Sequence, residues 1–176
     1  MYYDPKKLQG KSFTAIDFEA ANRHPNSACA IGLVRVENNE IVDEEVFLIK
    51  PPSQTFEFTY IHNIRWEDVK NEPTFSELWP SLIPYFTGVD FFVAHNSSYD
   101  DRVLRACCKE AGLIRPKIPF LCTVKLARKI WHIFPTKLPD VCHYLGIPLN
   151  HHDALSDSRA SATIVIKSIQ KHLQKV

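Results

Sequence analysis

None of the apolar runs in these 176 residues is long enough to cross a membrane. The polar start Met1-Tyr2-Tyr3-Asp4-Pro5-Lys6-Lys7 does not resemble a signal peptide. Cysteine is sparse and poorly spaced for a metal or disulfide framework: Cys29, Cys107, Cys108, Cys122 and Cys142 form an odd set with no CxxC pair. A zinc site on Cys142 and His143 is disfavoured, because adjacent residues point apart and no second pair follows. Cys29 and Cys122 fall in apolar, strand-like runs, so the expectation is buried, reduced thiols in a cytoplasmic protein. Internal repeats, low-complexity stretches and interdomain linkers are also missing. A net charge of +1 gives no whole-molecule signal for a polyanionic partner. What is present is 45% hydrophobic, enough for one well-buried domain in a chain short for two. That domain is expected over residues 10–173, with frayed ends at 1–9 and 174–176.

Two acids stand out in the run Phe13-Thr14-Ala15-Ile16-Asp17-Phe18-Glu19-Ala20. The run is apolar and β-prone, so Phe13, Ala15, Asp17 and Glu19 share one face of a strand, with Thr14, Ile16 and Phe18 on the other. Two carboxylates at the end of a buried strand repel each other and lose hydration, which is costly unless a cation compensates. A divalent metal held by hard oxygen ligands is the simplest explanation. The alternative is a strand that runs out into solvent.

Two further acids lie at similar boundaries. Asp100 follows the apolar run Phe91-Phe92-Val93-Ala94 and the polar residues His95-Asn96-Ser97-Ser98-Tyr99. Asp157 ends His151-His152-Asp153-Ala154-Leu155-Ser156-Asp157, where a final helix begins. If these segments converge, four carboxylates and a histidine surround one point. Such a set suits two Mg²⁺ or Mn²⁺ ions about 3.5–4 Å apart, an arrangement that hydrolyses phosphodiesters. Zinc is a poorer match, since thiolates and multiple imidazoles are lacking.

The order of elements expected from pattern is a three-strand meander, Ser12–Ala20, Ala28–Glu37 and Ile41–Ile49, turning at Asn38-Asn39. A capping box at Thr74 and Glu77 starts a helix to Phe86 that Pro80 and Pro84 should shorten or kink. There follow a strand Val89–Ala94, a helix from Ser98 to Ala111, a strand Ile118–Cys122, helices Thr123–Trp131 and Pro139–Leu145, and a last helix Ala154–Leu173. The result is a mixed, five-stranded α/β sheet flanked by helices. From Arg105 to Lys137 basic residues dominate (Arg105, Lys109, Arg115, Lys117, Lys125, Arg128, Lys129, Lys137) against the single acid Glu110. They form either a phosphate-attracting side of the cleft or a solvated helix face.

The segments Asp17-Phe18-Glu19, His95-Asn96-Ser97-Ser98-Tyr99-Asp100 and His152-Asp153-Ala154-Leu155-Ser156-Asp157 resemble the three motifs of the DEDDh 3′–5′ exonucleases. The likeness is to proteins similar to the epsilon (proofreading) subunit of bacterial DNA polymerase III, and it runs from about Phe13 to Ile169. It implies a ribonuclease-H-like fold, with Asp17, Glu19, Asp100 and Asp157 holding two metals and His152, five residues before the last acid, as general base. Asp17 would bridge the ions, Glu19 and Asp157 would complete the one binding the attacking water, and Asp100 would hold the second. Family spacing selects these over the neighbours Asp101, Asp153 and His151. Because five residues is a poor separation for one helix face, His152 is expected on a loop ahead of the helix carrying Asp157.

Relatives hold the terminal nucleotide in the loop after the first motif, here Phe18, Ala20, Ala21 and Asn22. His62, Ile64 and Tyr99 would stack against or wedge its base, beside Asn96. Asn63 stands where relatives usually carry glycine. The function implied is hydrolysis of single-stranded or frayed DNA 3′ ends to nucleoside 5′-monophosphates, with a polymerase partner or a homodimer both left open. An exoribonuclease or oligoribonuclease of the same fold and a non-catalytic polymerase accessory protein are the alternatives.

Overall fold

The computed structural model describes residues 3–174. Strand β1 (Phe13–Ala20) carries Phe13 and Ala15 into one core cluster and Ile16 and Phe18 into the other, so both its faces are covered. A strand covered on both sides can be apolar throughout, which is how this segment reads. β1 pairs antiparallel with β2 (Ala28–Glu37), and β2 with β3 (Glu40–Leu48). Asn38 and Asn39 both take positive φ at that hairpin, a turn that asparagine tolerates. On its other edge β1 runs parallel to β4 (Phe91–Ala94), and β4 to β5 (Phe120–Cys122). The order is β3-β2-β1-β4-β5, with β1 central.

Helices close both faces. α4 (Phe75–Phe86) and α5 (Ser98–Glu110) pack with Ile16, Phe18, Ile31, Leu33 and Phe92. α6 (Thr123–Trp131), α7 (Leu138–Leu145) and α8 (Ala154–Leu173) pack against the opposite face over Phe13, Val34, Phe91 and Val93. α8 lies across β2 and β1. Its first turn comes so close to β2 that a Cβ on Gly32 would stand 2.0 Å from the Ala154 carbonyl oxygen. Gly32 pairs with Asp17 in the sheet, so this contact sets the height of α8 over the first acid.

Several boundaries differ from expectation for physical reasons. β4 begins at Phe91, because Gly88 turns the chain and the Asp90 carboxylate accepts from Lys11 and the Ser12 N–H. β5 begins after Pro119, which has no N–H to donate. α4 runs through Pro80 and Pro84 without a break, since both lie on its exposed face where water can take up the freed carbonyls. Three single-turn helices, α1 (Pro5–Leu8), α2 (Thr59–His62) and α3 (Trp66–Val69), were not foreseen. Within the stretch expected to be frayed, the described residues 3–9 include α1, whose Leu8 is fully buried in the core. The outermost residues 1–2 and 175–176 fall outside the described range. All five cysteines are buried and unpaired, and among the described residues no helix is long and apolar enough to cross a membrane.

Candidate active site

Three elements meet at one end of the sheet. β1 brings Asp17 and Glu19 on the face shared with Phe13 and Ala15. The first turn of α5 brings Asp100, and that of α8 brings Asp157. Carboxylate oxygens of Asp17, Glu19 and Asp157 lie within 4.8 Å of one another. Asp100 lines the same cavity, its Oδ1 accepting the Phe18 N–H at 3.2 Å. Glu19, Asp100 and Asp157 are only 8%, 2% and 4% exposed.

Burial and mutual repulsion dominate the electrostatics. Burial, then Asp100 and Asp157, holds Asp17 well above the usual carboxylate range. Burial and then Asp157 push Glu19 up to about 8. Asp100 is also raised to about 8 by burial, although the Phe18 N–H pulls it back. Burial raises Asp157 too, against the lowering effect of His151. Among the described residues no lysine or arginine lines this cavity, of about 270 Å³, to offset the charge. Asp157 Oδ1 is buried with no hydrogen-bond partner. Four carboxylates lining one cavity, one of them with an orphaned oxygen, fit hard divalent cations.

The neighbouring acids are otherwise engaged. Asp101 is paired with Arg105 and Arg115. Asp153 caps α8, accepting the Ser156 N–H at 2.9 Å. The histidines are less simply divided. His151 Nδ1 lies 2.9 Å from Asp157 Oδ2, and the His152 backbone N–H donates to that same oxygen at 3.2 Å. The two imidazoles stack with centroids 3.8 Å apart, and both line the cavity. His152 sits on the loop ahead of α8 with φ +70°, as expected from its spacing.

Among the expected nucleotide contacts, Phe18, Ala20, His62, Asn96 and Tyr99 do line the cavity. Ile64 instead lines an adjoining cavity of about 350 Å³ with Glu19, His62 and His152. Ala21 and Asn22 are not brought to the site, and that expectation is corrected. Ala21 is fully buried behind it. Asn22 has its side chain engaged, accepting the His24 N–H within its own turn at 3.0 Å and donating to the Thr55 carbonyl of a distant segment at 2.7 Å.

His62 has both nitrogens engaged, Nε2–H donating to the Ala20 carbonyl and Nδ1 accepting the Ile64 N–H. Only its ring face is left for a ligand. Asn63 takes the left-handed conformation, φ +63°, which asparagine tolerates better than most residues. Phe58, Ile61 and His95 complete the lining and were not expected. His95 opens the second motif, which was its only signal; Phe58 and Ile61 arrive on the short α2, which gives no periodic signal.

A family model described as Exonuclease (RNase_T) matches residues 14–165. The chain belongs to the exonuclease family. Among its relatives, a DNA polymerase III PolC-type of Thermotoga petrophila is 28% identical over 96% of this chain, which spans 12% of that much longer protein. DNA polymerase III subunit epsilon of Aquifex aeolicus is 29% identical over 97% of the chain and 90% of the relative. The solved nuclease domain of 3′hExo, a DEDDh family member, bound to rAMP, superimposes with a TM-score of 0.77. It is 21% identical, over 97% of this chain and 94% of the other, and bears out the ribonuclease-H-like fold. The family supports a nuclease that depends on divalent metal ions.

Proposed function

We propose that the protein is a 3′–5′ exonuclease that removes nucleoside 5′-monophosphates from single-stranded or frayed DNA ends. The observation that carries this reading is that Asp17, Glu19, Asp100 and Asp157 line one cavity of about 270 Å³ that, among the described residues, no lysine or arginine lines. Asp17, Glu19, Asp100 and Asp157 would hold two Mg²⁺ or Mn²⁺ ions. Bound there, such ions supply Lewis-acid stabilisation of the attacking and leaving oxygens of a phosphodiester.

The remaining work falls to the chain itself. His152 takes the proton of the attacking water: its loop position brings the ring into the cavity, and burial with His151 close by keeps it below the usual histidine range, so it is neutral near pH 7. Tyr99 and the ring face of His62 hold the terminal base by stacking, which accepts any base. Asn63 fixes the turn that aims His62. Relatives named as a DNA polymerase III PolC-type and as a DNA polymerase III subunit epsilon favour DNA ends as substrate, and five free thiols suit a reducing compartment.

Polarity is tested with end-labelled DNA. A strand blocked at its 3′ terminus should resist, while a 5′-blocked strand should be shortened with release of 5′-monophosphates. Degradation from the 5′ end would overturn the assigned direction. Cleavage of a matched RNA strand in preference to DNA would overturn the assigned substrate.

A further inference from the structure

A second, larger cavity opens on the far side of the acids. It measures about 720 Å³ and shares Asp17, His95, Asn96, His151 and Asp157 with the smaller one. The acid cluster therefore stands at the seam between two cavities of opposite character. The smaller is walled by Phe58, Ile61, His62 and Tyr99. The larger carries Lys125, Arg128 and Lys137, all exposed, and among the described residues its only acids are Asp17 and Asp157 at the seam.

This cationic wall is held in place from the active-site end. His95 Nε2–H donates to the Thr136 carbonyl at 3.0 Å, and its Nδ1 pairs with the Thr123 hydroxyl at 2.8 Å. Arg128 Nε donates to Thr136 Oγ1 at 2.9 Å. The connection between α6 and α7 is thus tied to the end of β4. Burial pushes His95 down to about 4, so it stays neutral and keeps these bonds across the working pH range. On the same connection Phe134 is 70% exposed, with the Arg128 guanidinium 5.5 Å over its ring.

We infer that this groove carries the single strand upstream of the nucleotide being released. Lys125, Arg128 and Lys137 face its phosphates, and Phe134 offers a stacking face to one of its bases. The exonuclease reading supplies only the direction, a strand that ends at the seam. The rest follows from charge and shape. A polyanion is drawn along the cationic side. An exposed aromatic ring next to that path is reached by an unpaired base and not by a paired one, which selects a single strand.

The groove is tested by fluorescence anisotropy with the full chain in chelator, where no cleavage occurs. The probes are a labelled dinucleotide and an oligothymidylate of about twelve residues. Wild type should hold the longer strand at least about fivefold more tightly, the gain expected of one stacked base. Lys125→Ala/Lys137→Ala should lower the slope of log affinity against log salt by about 1.4, two phosphate contacts at about 0.7 each. Phe134→Ala should weaken long-strand binding about fivefold or more with the slope unchanged. Lys109→Ala/Lys117→Ala, an equal loss of charge from exposed positions outside the groove, should bind as wild type. Melting curves confirm that each variant folds. Wild-type affinity and salt slope in Lys125→Ala/Lys137→Ala, or an equal loss in the control pair, would overturn the groove. Because these arms need no catalysis, failure of the enzyme to cleave DNA would count against the exonuclease reading alone.

Discussion

Asp157 Oδ2 accepts from both the His152 N–H and the His151 ring, while Oδ1 faces no partner, so one carboxylate is half satisfied by protein. The family-resembling motifs pointed to the acids, but the sequence could not show how their neighbours would be used. Asp101 and Asp153 were separable from Asp100 and Asp157 by spacing alone, and the structure gives the physical reason in an arginine pair and a helix cap. Ala21 and Asn22 were illegible for the opposite reason, because their hydrogen bonds to the distant Thr55–Phe58 segment leave no mark in the sequence beside the motif. Two predictions belong at this scale. Glu19 and Asp100 keep their protons to about pH 8 in the metal-free fold, but ionise near pH 4 when unfolded. Between those values the folded state binds more protons, so its stability falls as pH rises from about 4 to about 8. Melting in chelator should therefore show a lower midpoint at pH 8 than at pH 5. The drop should shrink in Glu19→Gln/Asp100→Asn and in saturating Mg²⁺; a flat or rising profile for wild type in chelator would contradict the assignment. The second concerns the histidine pair. His152→Ala should slow single-turnover cleavage by about 10²–10⁴-fold with metal binding retained, and His151→Ala should stay near wild type. The reverse ranking would move the general base to His151.

At the level of elements, legibility followed length and period. β1 and β2 read as continuous apolar runs because both faces are buried, and the Thr74–Glu77 box marked the start of α4 to the residue. The single-turn α1, α2 and α3 are too short to show any period, so Phe58 and Ile61 gave no signal and His62 was visible only through the resemblance to relatives. The closeness of α8 to β2 was equally hidden: Gly32 looks in sequence like one more small residue in a strand. Gly32→Ala should press against the Ala154 carbonyl, shift the first turn of α8 and move Asp157 away from Asp17. Overpacking of this kind costs about 1–3 kcal/mol. The expected outcome is a lower melting temperature together with a loss of turnover larger than that destabilisation explains. A Gly32→Ala protein with wild-type turnover would show that the height of α8 does not set the site.

For the whole molecule, a net charge of +1 hides a division in which the acids converge on one cavity and the cations line the next. Composition could not show that division, since it arises only when β1, α5 and α8 meet beside the α6–α7 connection. The central claim is that the four acids act together, through bound divalent cations, to release terminal nucleotides. Stability and activity should therefore oppose each other there. Asp17→Asn removes a buried carboxyl that cannot ionise beside the other acids without cost, so as pH rises through about 8, where Glu19 and Asp100 lose their protons, the metal-free variant should melt higher than metal-free wild type while losing turnover by more than His152→Ala does. The most direct measurement is the rate of mononucleotide release from a single-stranded DNA of defined sequence. It is made with wild type in Mg²⁺ or Mn²⁺, with wild type in excess chelator, and with Asp17→Asn in saturating metal. The account predicts steady release of 5′-monophosphates in the first case and near-complete loss in the other two. Undiminished release in chelator, or from Asp17→Asn, would contradict it.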